Sequence, residues 1–207
     1  MNCRSILNNR SVSLLFVFAA ALYFCRGAFG CESQLWLDAT KALPVMLLGV
    51  TTWLYGGSKL LPIAMLLSAV GDIAGEHRAF LWQVGFFAAA HISFIAYFAN
   101  KASYKRERLW QLAVWVVVML LFGGFVISNI ENIAFRIACS AYILIIGSMA
   151  AVTLFINSPK RWWYTAAALI FVFSDSCIAW NKFIDKFAHA GLVIMVTYFL
   201  AQLIFAN

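Results

Sequence analysis

This chain is built as a succession of apolar runs, most of them close to twenty residues long, separated by links of only a few polar or charged residues. Backbone N–H and C=O groups placed in hydrocarbon must satisfy each other within the segment, so runs of that length are read as transmembrane helices. Ended at charges, Gly or Asn, they predict spans over Val12–Ala28, Trp36–Tyr55, Leu60–Glu76, Ala79–Ala99, Leu109–Ile127, Asn132–Phe155, Trp162–Trp180 and Phe187–Phe205. The expected fold is an all-α membrane protein, a compact bundle of about eight transmembrane helices forming one polytopic domain over residues 1–207. A chain with 64% hydrophobic and 11% charged residues and a mean hydropathy of +0.88 leaves no room for a solvated soluble domain.

Tryptophans support the register: Trp36, Trp82 and Trp180 fall at one set of predicted ends, and Trp53, Trp110, Trp162 and Trp163 at the other, with Trp115 the exception. Arg4, Arg10, Lys59, Lys101, Lys105, Arg106, Arg108, Lys160 and Arg161 lie in the amino-terminal tail and even-numbered links. Arg26, Arg78, Lys182 and Lys186 lie in the odd-numbered links. The positive-inside rule then puts both termini in the cytoplasm. The net charge of +7 reads as topology and contact with anionic membrane lipid, with no basic stripe for nucleic acid. Arg4, Arg10, the first apolar run and Ala28-Phe29-Gly30 also resemble a secretory signal with a cleavage site.

Against this background the informative residues are the ionisable ones inside the spans, since an ionised carboxylate in hydrocarbon costs several kcal/mol. Asp72 lies about 9 Å below Arg78 at the helical rise, and Asp175 interrupts the apolar run Phe171-Val172-Phe173-Ser174-Asp175-Ser176. With alternating helix direction, Asp38, Lys41, Asp72, Glu76, Glu131, Arg136, Asp175, Asn181, Asp185 and His189 all fall in the outer half of the predicted bundle. That segregation suits a water-filled pocket open to the outer leaflet above a packed inner half. Asp72 and Asp175 are therefore the candidate catalytic residues.

Around them, Lys41, Glu76, Arg136, Ser174, Asn181, Tyr198 and Gln202 are candidate substrate-binding residues. Lys41 reads equally as a counter-ion for Asp38 at i,i+3 or as a phosphate contact, and Arg136 has the same ambiguity. Glu76 and His77 also read as an interfacial helix end. Tyr198 and Gln202, four apart, also read as interhelical hydrogen-bonding groups. His91, about 18 Å from the outer end of its helix, reads as a packing residue. Cys3, Cys25, Cys31, Cys139 and Cys177 have no zinc spacing, although Cys25 and Cys31 flank a link where a disulfide would form in an oxidising compartment.

Thr40-Lys41-Ala42-Leu43-Pro44, Gly71-Asp72, the Ser174-Asp175-Ser176 block and Met195-Val196-Thr197-Tyr198-Phe199-Leu200-Ala201-Gln202 resemble, in order and spacing, the signature blocks of the YhhN family of membrane proteins, whose animal members include the lysoplasmalogenases. One departure is Lys41-Ala42, where the family commonly has Lys-Pro. The resemblance implies an eight-helix integral membrane hydrolase that cleaves the vinyl-ether bond of lysoplasmalogens, with the family's paired aspartates carried onto Asp72 and Asp175. It implies a lysophospholipid or other ether-lipid substrate, no cofactor and no metal, and, together with the compact chain, a bacterial inner membrane. Two carboxyls suit that chemistry, one protonating the vinyl-ether carbon and the other stabilising the oxocarbenium ion and activating water. The rival readings are a metal-dependent hydrolase using Asp72, Glu76, His77, Asp175 and His189, and a lipid-binding protein or transporter without turnover. Oligomeric state is not encoded in any residue pattern here.

Overall fold

The computed structural model describes residues 10–31 and 33–207, with the side chains of Arg10 and Ser11 left aside. Cys3, Arg4 and the side chain of Arg10 thus lie outside the described residues. Among those described, the chain is helical: α1 (Arg10–Cys25), α2 (Gln34–Tyr55), α3 (Leu60–Glu76), α4 (Phe80–Ala99), α5 (Leu109–Ser128), α6 (Ile133–Leu154), α7 (Arg161–Phe183) and α8 (Ala190–Phe205). Extended pairing is confined there to one bridge between Ala102 and Ile156.

Five helical segments are long and apolar enough to cross a membrane: Val12–Phe29, Phe80–Ala99, Arg106–Ser128, Ile133–Leu154 and Arg161–Phe183. Length and composition alone therefore mark five spans where eight were expected. The other three fall short for local reasons: α2 carries Asp38, Lys41 and Pro44, α3 has 17 residues and α8 has 16. The exposed surface is itself apolar, with Leu120, Leu121 and Val117 of α5 facing outward, which only a hydrocarbon solvent accommodates. The chain is an integral membrane protein.

Internal contacts divide the chain into two units, one comprising Met1–Phe94 with Phe205–Asn207 and the other Ile95–Ile204. In the first, α2 packs on both α1 and α3. The Ser33 hydroxyl accepts a hydrogen bond from the Trp36 amide and caps α2, and the Thr40 hydroxyl donates to the carbonyl of Trp36 one turn back. Small residues let the backbones approach: a Cβ on Gly49 would come within 3.1 Å of Leu66. The buried stripe of α3 runs through Leu61, Ala64, Met65, Ser68 and Ala69 to Asp72, at i, i+3, i+4, i+7, i+8 and i+11. That register fixes the direction of Asp72 and, one turn later, of Glu76. The helix stops there because Arg78 turns left-handed at φ 57°, with Ala79 N–H donating to Ala74 O and Arg78 N–H to Gly75 O, the paired bonds of a Schellman end.

In the second unit α6 packs against both α5 and α7. Asn132 caps α6, its side-chain oxygen accepting from the amides of Ala134 and Phe135. Trp115, which breaks the rule of tryptophans at helix ends, has a structural reason: its indole N–H donates to the Gly147 carbonyl at 2.9 Å, binding α5 to α6. The links after α4 and after α6 pair through Ser103 N–H to Phe155 O and Asn157 N–H to Lys101 O, both 2.9 Å. Ser174 of α7 donates to the Ile194 carbonyl of α8 at 2.9 Å, and Phe171 meets Tyr198 edge-on at 5.3 Å.

Candidate active site

In the first unit, ionic side chains from three elements meet at the end of α3. Glu76 receives Arg26 Nη2 on Oε1 at 3.0 Å and Lys41 Nζ on Oε2 at 3.4 Å. All three are mostly withdrawn from solvent, at 14% exposure for Glu76, 23% for Arg26 and 13% for Lys41. Arg26 is held further by the Leu37 carbonyl, 3.3 Å from Nη1, and by the ring of Tyr23, 4.6 Å from its guanidinium carbon. Beside them the Asp38 carboxylate pairs with His77 Nε2 at 2.9 Å and accepts from Gln34 at 3.0 Å. Asp72, four residues before Glu76, is 2% exposed. The Tyr23 phenol lies within electrostatic reach of Arg26, Glu76 and Asp72.

These contacts correct one expectation. The carboxylate facing Lys41 is Glu76 of another helix rather than Asp38 three residues back. Asp38 is drawn instead to Gln34 and to His77, 39 residues away in sequence. Local i,i+3 attraction is worth a few tenths of a kcal/mol at most, and tertiary packing overrides it. The expected Cys25–Cys31 disulfide is also absent: both residues are exposed free thiols, and Cys31 instead lies 3.4 Å from the Ser33 hydroxyl.

In the second unit, Asp175 is half-buried and accepts a short hydrogen bond from the Tyr142 hydroxyl of α6. Other polar groups predicted to bind substrate are engaged with backbone. Ser174 is fully buried and donates to Ile194, Asn181 accepts from the Phe187 amide at 3.4 Å, and Arg136 directs Nε and Nη2 at the Ile130 carbonyl at 2.8 and 2.6 Å. Tyr198 is buried against Phe171, and Gln202 is fully buried with neither amide atom hydrogen-bonded within the described protein. His91 is fully buried beside Phe94.

Two contributors escaped the sequence reading. In the sequence Arg26 reads only as a topology signal. Tyr142 sits on a helix apolar enough to pass for core, although Arg136, Cys139 and Tyr142 recur at a spacing of three, which places them on one side of α6.

An apolar groove of about 420 Å³ runs between α5 and α7, walled by Trp115, Val118, Phe122, Phe173, Cys177 and Trp180. Among the described residues no three His, Cys, Asp or Glu side chains gather in a way that could hold a metal ion. The first unit offers a buried carboxyl and a cation pair on a glutamate, and the second a carboxyl that accepts from a phenol and an apolar groove.

Such features define an integral membrane protein that keeps ionisable side chains on otherwise apolar helices. The chain belongs to the YhhN family, which it matches over residues 36–207, a range that includes both Asp72 and Asp175. It is 30% identical over 203 residues to the Homo sapiens protein named lysoplasmalogenase TMEM86B, covering 91% of this chain and 82% of that one. It is 32% identical over 195 residues to the Sus scrofa lysoplasmalogenase TMEM86B, with the same coverage. To the Bos taurus lysoplasmalogenase TMEM86A it is 30% identical over 195 residues, covering 84% and 79% of the two chains. The chain is thus similar over most of its length to enzymes. No solved structure matches it.

Proposed function

We propose that this protein is a lysoplasmalogenase-like hydrolase that cleaves the vinyl-ether bond of a lysophospholipid within the membrane, releasing a fatty aldehyde and a glycerophospho-alcohol. The observation that carries this reading is identity of about 30% to lysoplasmalogenases over 91% of the chain. It is supported by two carboxyls on apolar helices, Asp72 and Asp175, which a purely structural membrane helix has little reason to keep.

The reaction asks for an acid and a base. One carboxyl delivers a proton to the vinyl carbon distal to oxygen, giving an oxocarbenium ion. The other, ionised, stabilises that cation and takes a proton from the water that adds to the oxygen-bearing carbon. The hemiacetal then collapses, the glycerol oxygen leaving with a proton and the former vinyl carbon becoming the aldehyde. Asp72 and Asp175 fill these two roles. Tyr142, donating to Asp175, fixes the carboxylate rotamer, so that the group meets its substrate in one orientation. The α5–α7 groove has the apolar lining an alkenyl chain requires.

The protein crosses the membrane eight times in this reading, the helices that fall short by length or composition being completed by their links. Both termini face the cytoplasm of a bacterial cell, in keeping with the Lys and Arg distribution. The test is aldehyde release by purified protein from lysoplasmenylethanolamine beside its saturated alkyl-ether analogue. Aldehyde from the vinyl ether alone, with one solvent deuterium entering the aldehyde's α-carbon in heavy water, is the expected result. No aldehyde from folded protein would overturn the assignment.

A further inference from the structure

Arg26, Lys41 and Glu76 form a set of two cations on one carboxylate, drawn from the α1–α2 link, α2 and α3 and mostly shielded from solvent. Glu76 gives one oxygen to each cation, and a guanidinium with five N–H donors and an ammonium with three keep further donors that an anion can take up. The geometry is open to one. Lys41 stands 3.4 Å from its carboxylate oxygen, longer than the 2.7–2.9 Å of a tight charge-assisted bond, so its ammonium is loosely held. Arg26 is fixed from three sides, by Glu76, by the Leu37 carbonyl and by the Tyr23 ring, which sets the plane of its guanidinium in advance. Leu37 and Lys41 are four apart on α2, so the carbonyl holding Arg26 and the Lys41 side chain share one side of that helix.

The position of the set relative to Asp72 is equally specific. Glu76 follows Asp72 by four residues on α3, one turn along the same side and about 6 Å along the axis. In a lysoglycerophospholipid the three glycerol carbons separate the ether oxygen from the phosphate by a comparable span. From these observations the geometry points to Arg26 and Lys41 as the site that binds the phosphodiester of the lysophospholipid headgroup, with Glu76 the positioning residue that holds both cations in register. This deepens the hydrolase reading and rests on it for the identity of the lipid. Arg136, the other candidate for this contact, already turns two of its nitrogens to the Ile130 carbonyl.

The test measures equilibrium binding in detergent of two non-cleavable ligands, a saturated alkyl lysophosphatidylethanolamine and the matching alkylglycerol without phosphate. Wild-type protein is expected to prefer the phospholipid by about tenfold or more, the scale of one charge-assisted contact. Arg26→Gln and Lys41→Gln are expected to abolish that preference while leaving alkylglycerol binding in place, and Arg26→Lys and Lys41→Arg to restore part of it. Inorganic phosphate alone is expected not to compete at concentrations where the phospholipid saturates, which separates a lipid site from a free-phosphate site. Equal wild-type affinity for both ligands, or variants that lose both alike at unchanged Tm, would overturn the inference. Failure of the hydrolase reading has a different signature, in which phosphate preference persists without aldehyde release from the vinyl-ether substrate.

Discussion

Replacing Tyr142 by Phe removes one oxygen and leaves the ring, so the α6–α7 packing stays while Asp175 loses the phenol that orients it. Hydrogen bonds to charged groups contribute roughly 1.5–3 kcal/mol. If that bond holds Asp175 in its reactive rotamer, the loss falls on the transition state and lowers kcat/KM by roughly 10- to 150-fold. The assay is initial-rate aldehyde release by wild type and Tyr142→Phe over a range of substrate, with Tm recorded in the same detergent. The fall is expected in kcat rather than KM, with Tm little changed. Wild-type kcat in a variant that folds normally would refute the positioning role, and a rise in KM alone would move Tyr142 to substrate binding.

Asn132→Ala, which removes the cap on two α6 amides, is expected to cost about 1 kcal/mol in a detergent unfolding titration with kcat unaffected. Gly49→Val forces a side chain into Leu66 at the α2–α3 contact and is expected to destabilise by about 1–3 kcal/mol. Gly85→Ala in α4, where a Cβ meets nothing within 4 Å, is expected to be neutral or stabilising by up to about 1 kcal/mol. The Cys31 thiol is lowered from its ordinary range by hydrogen bonds from the Ser33 hydroxyl and backbone, so its reactive thiolate forms at lower pH. In Ser33→Ala the pH midpoint of Cys31 alkylation should move upward, and an unchanged midpoint would remove the Ser33 hydroxyl as the cause.

Helical character was plain in the apolar runs between charges, because a buried backbone leaves few alternatives. Asp72 and Asp175 stood out for a related reason, as carboxyls in segments that otherwise exclude charge. What the runs could not supply was partnership between elements distant in sequence. Asp38 finds His77 on the far side of the α2–α3 hairpin, and Lys41 finds Glu76, choices made by how α2 packs on α3 rather than by spacing along α2. Arg26 looks like any flanking cation until α1 and α3 are brought together. Tyr142 is amphipathic, and an isolated tyrosine on an apolar helix carries no mark telling whether its hydroxyl reaches a carboxylate or a carbonyl. Span counting misses α2 because Asp38, Lys41 and Pro44 lower its hydropathy, and α3 because it stops at 17 residues.

The central claim is that Asp72 and Asp175 carry the proton transfers of vinyl-ether hydrolysis, and the most direct measurement is the single-turnover rate of aldehyde formation by wild type, Asp72→Asn and Asp175→Asn at saturating lysoplasmenylethanolamine. The account predicts that each variant, folded and still binding lipid, loses aldehyde formation by about 10²-fold or more, the scale of a general acid or base. A variant of either aspartate that binds lipid and turns over at the wild-type rate would contradict it.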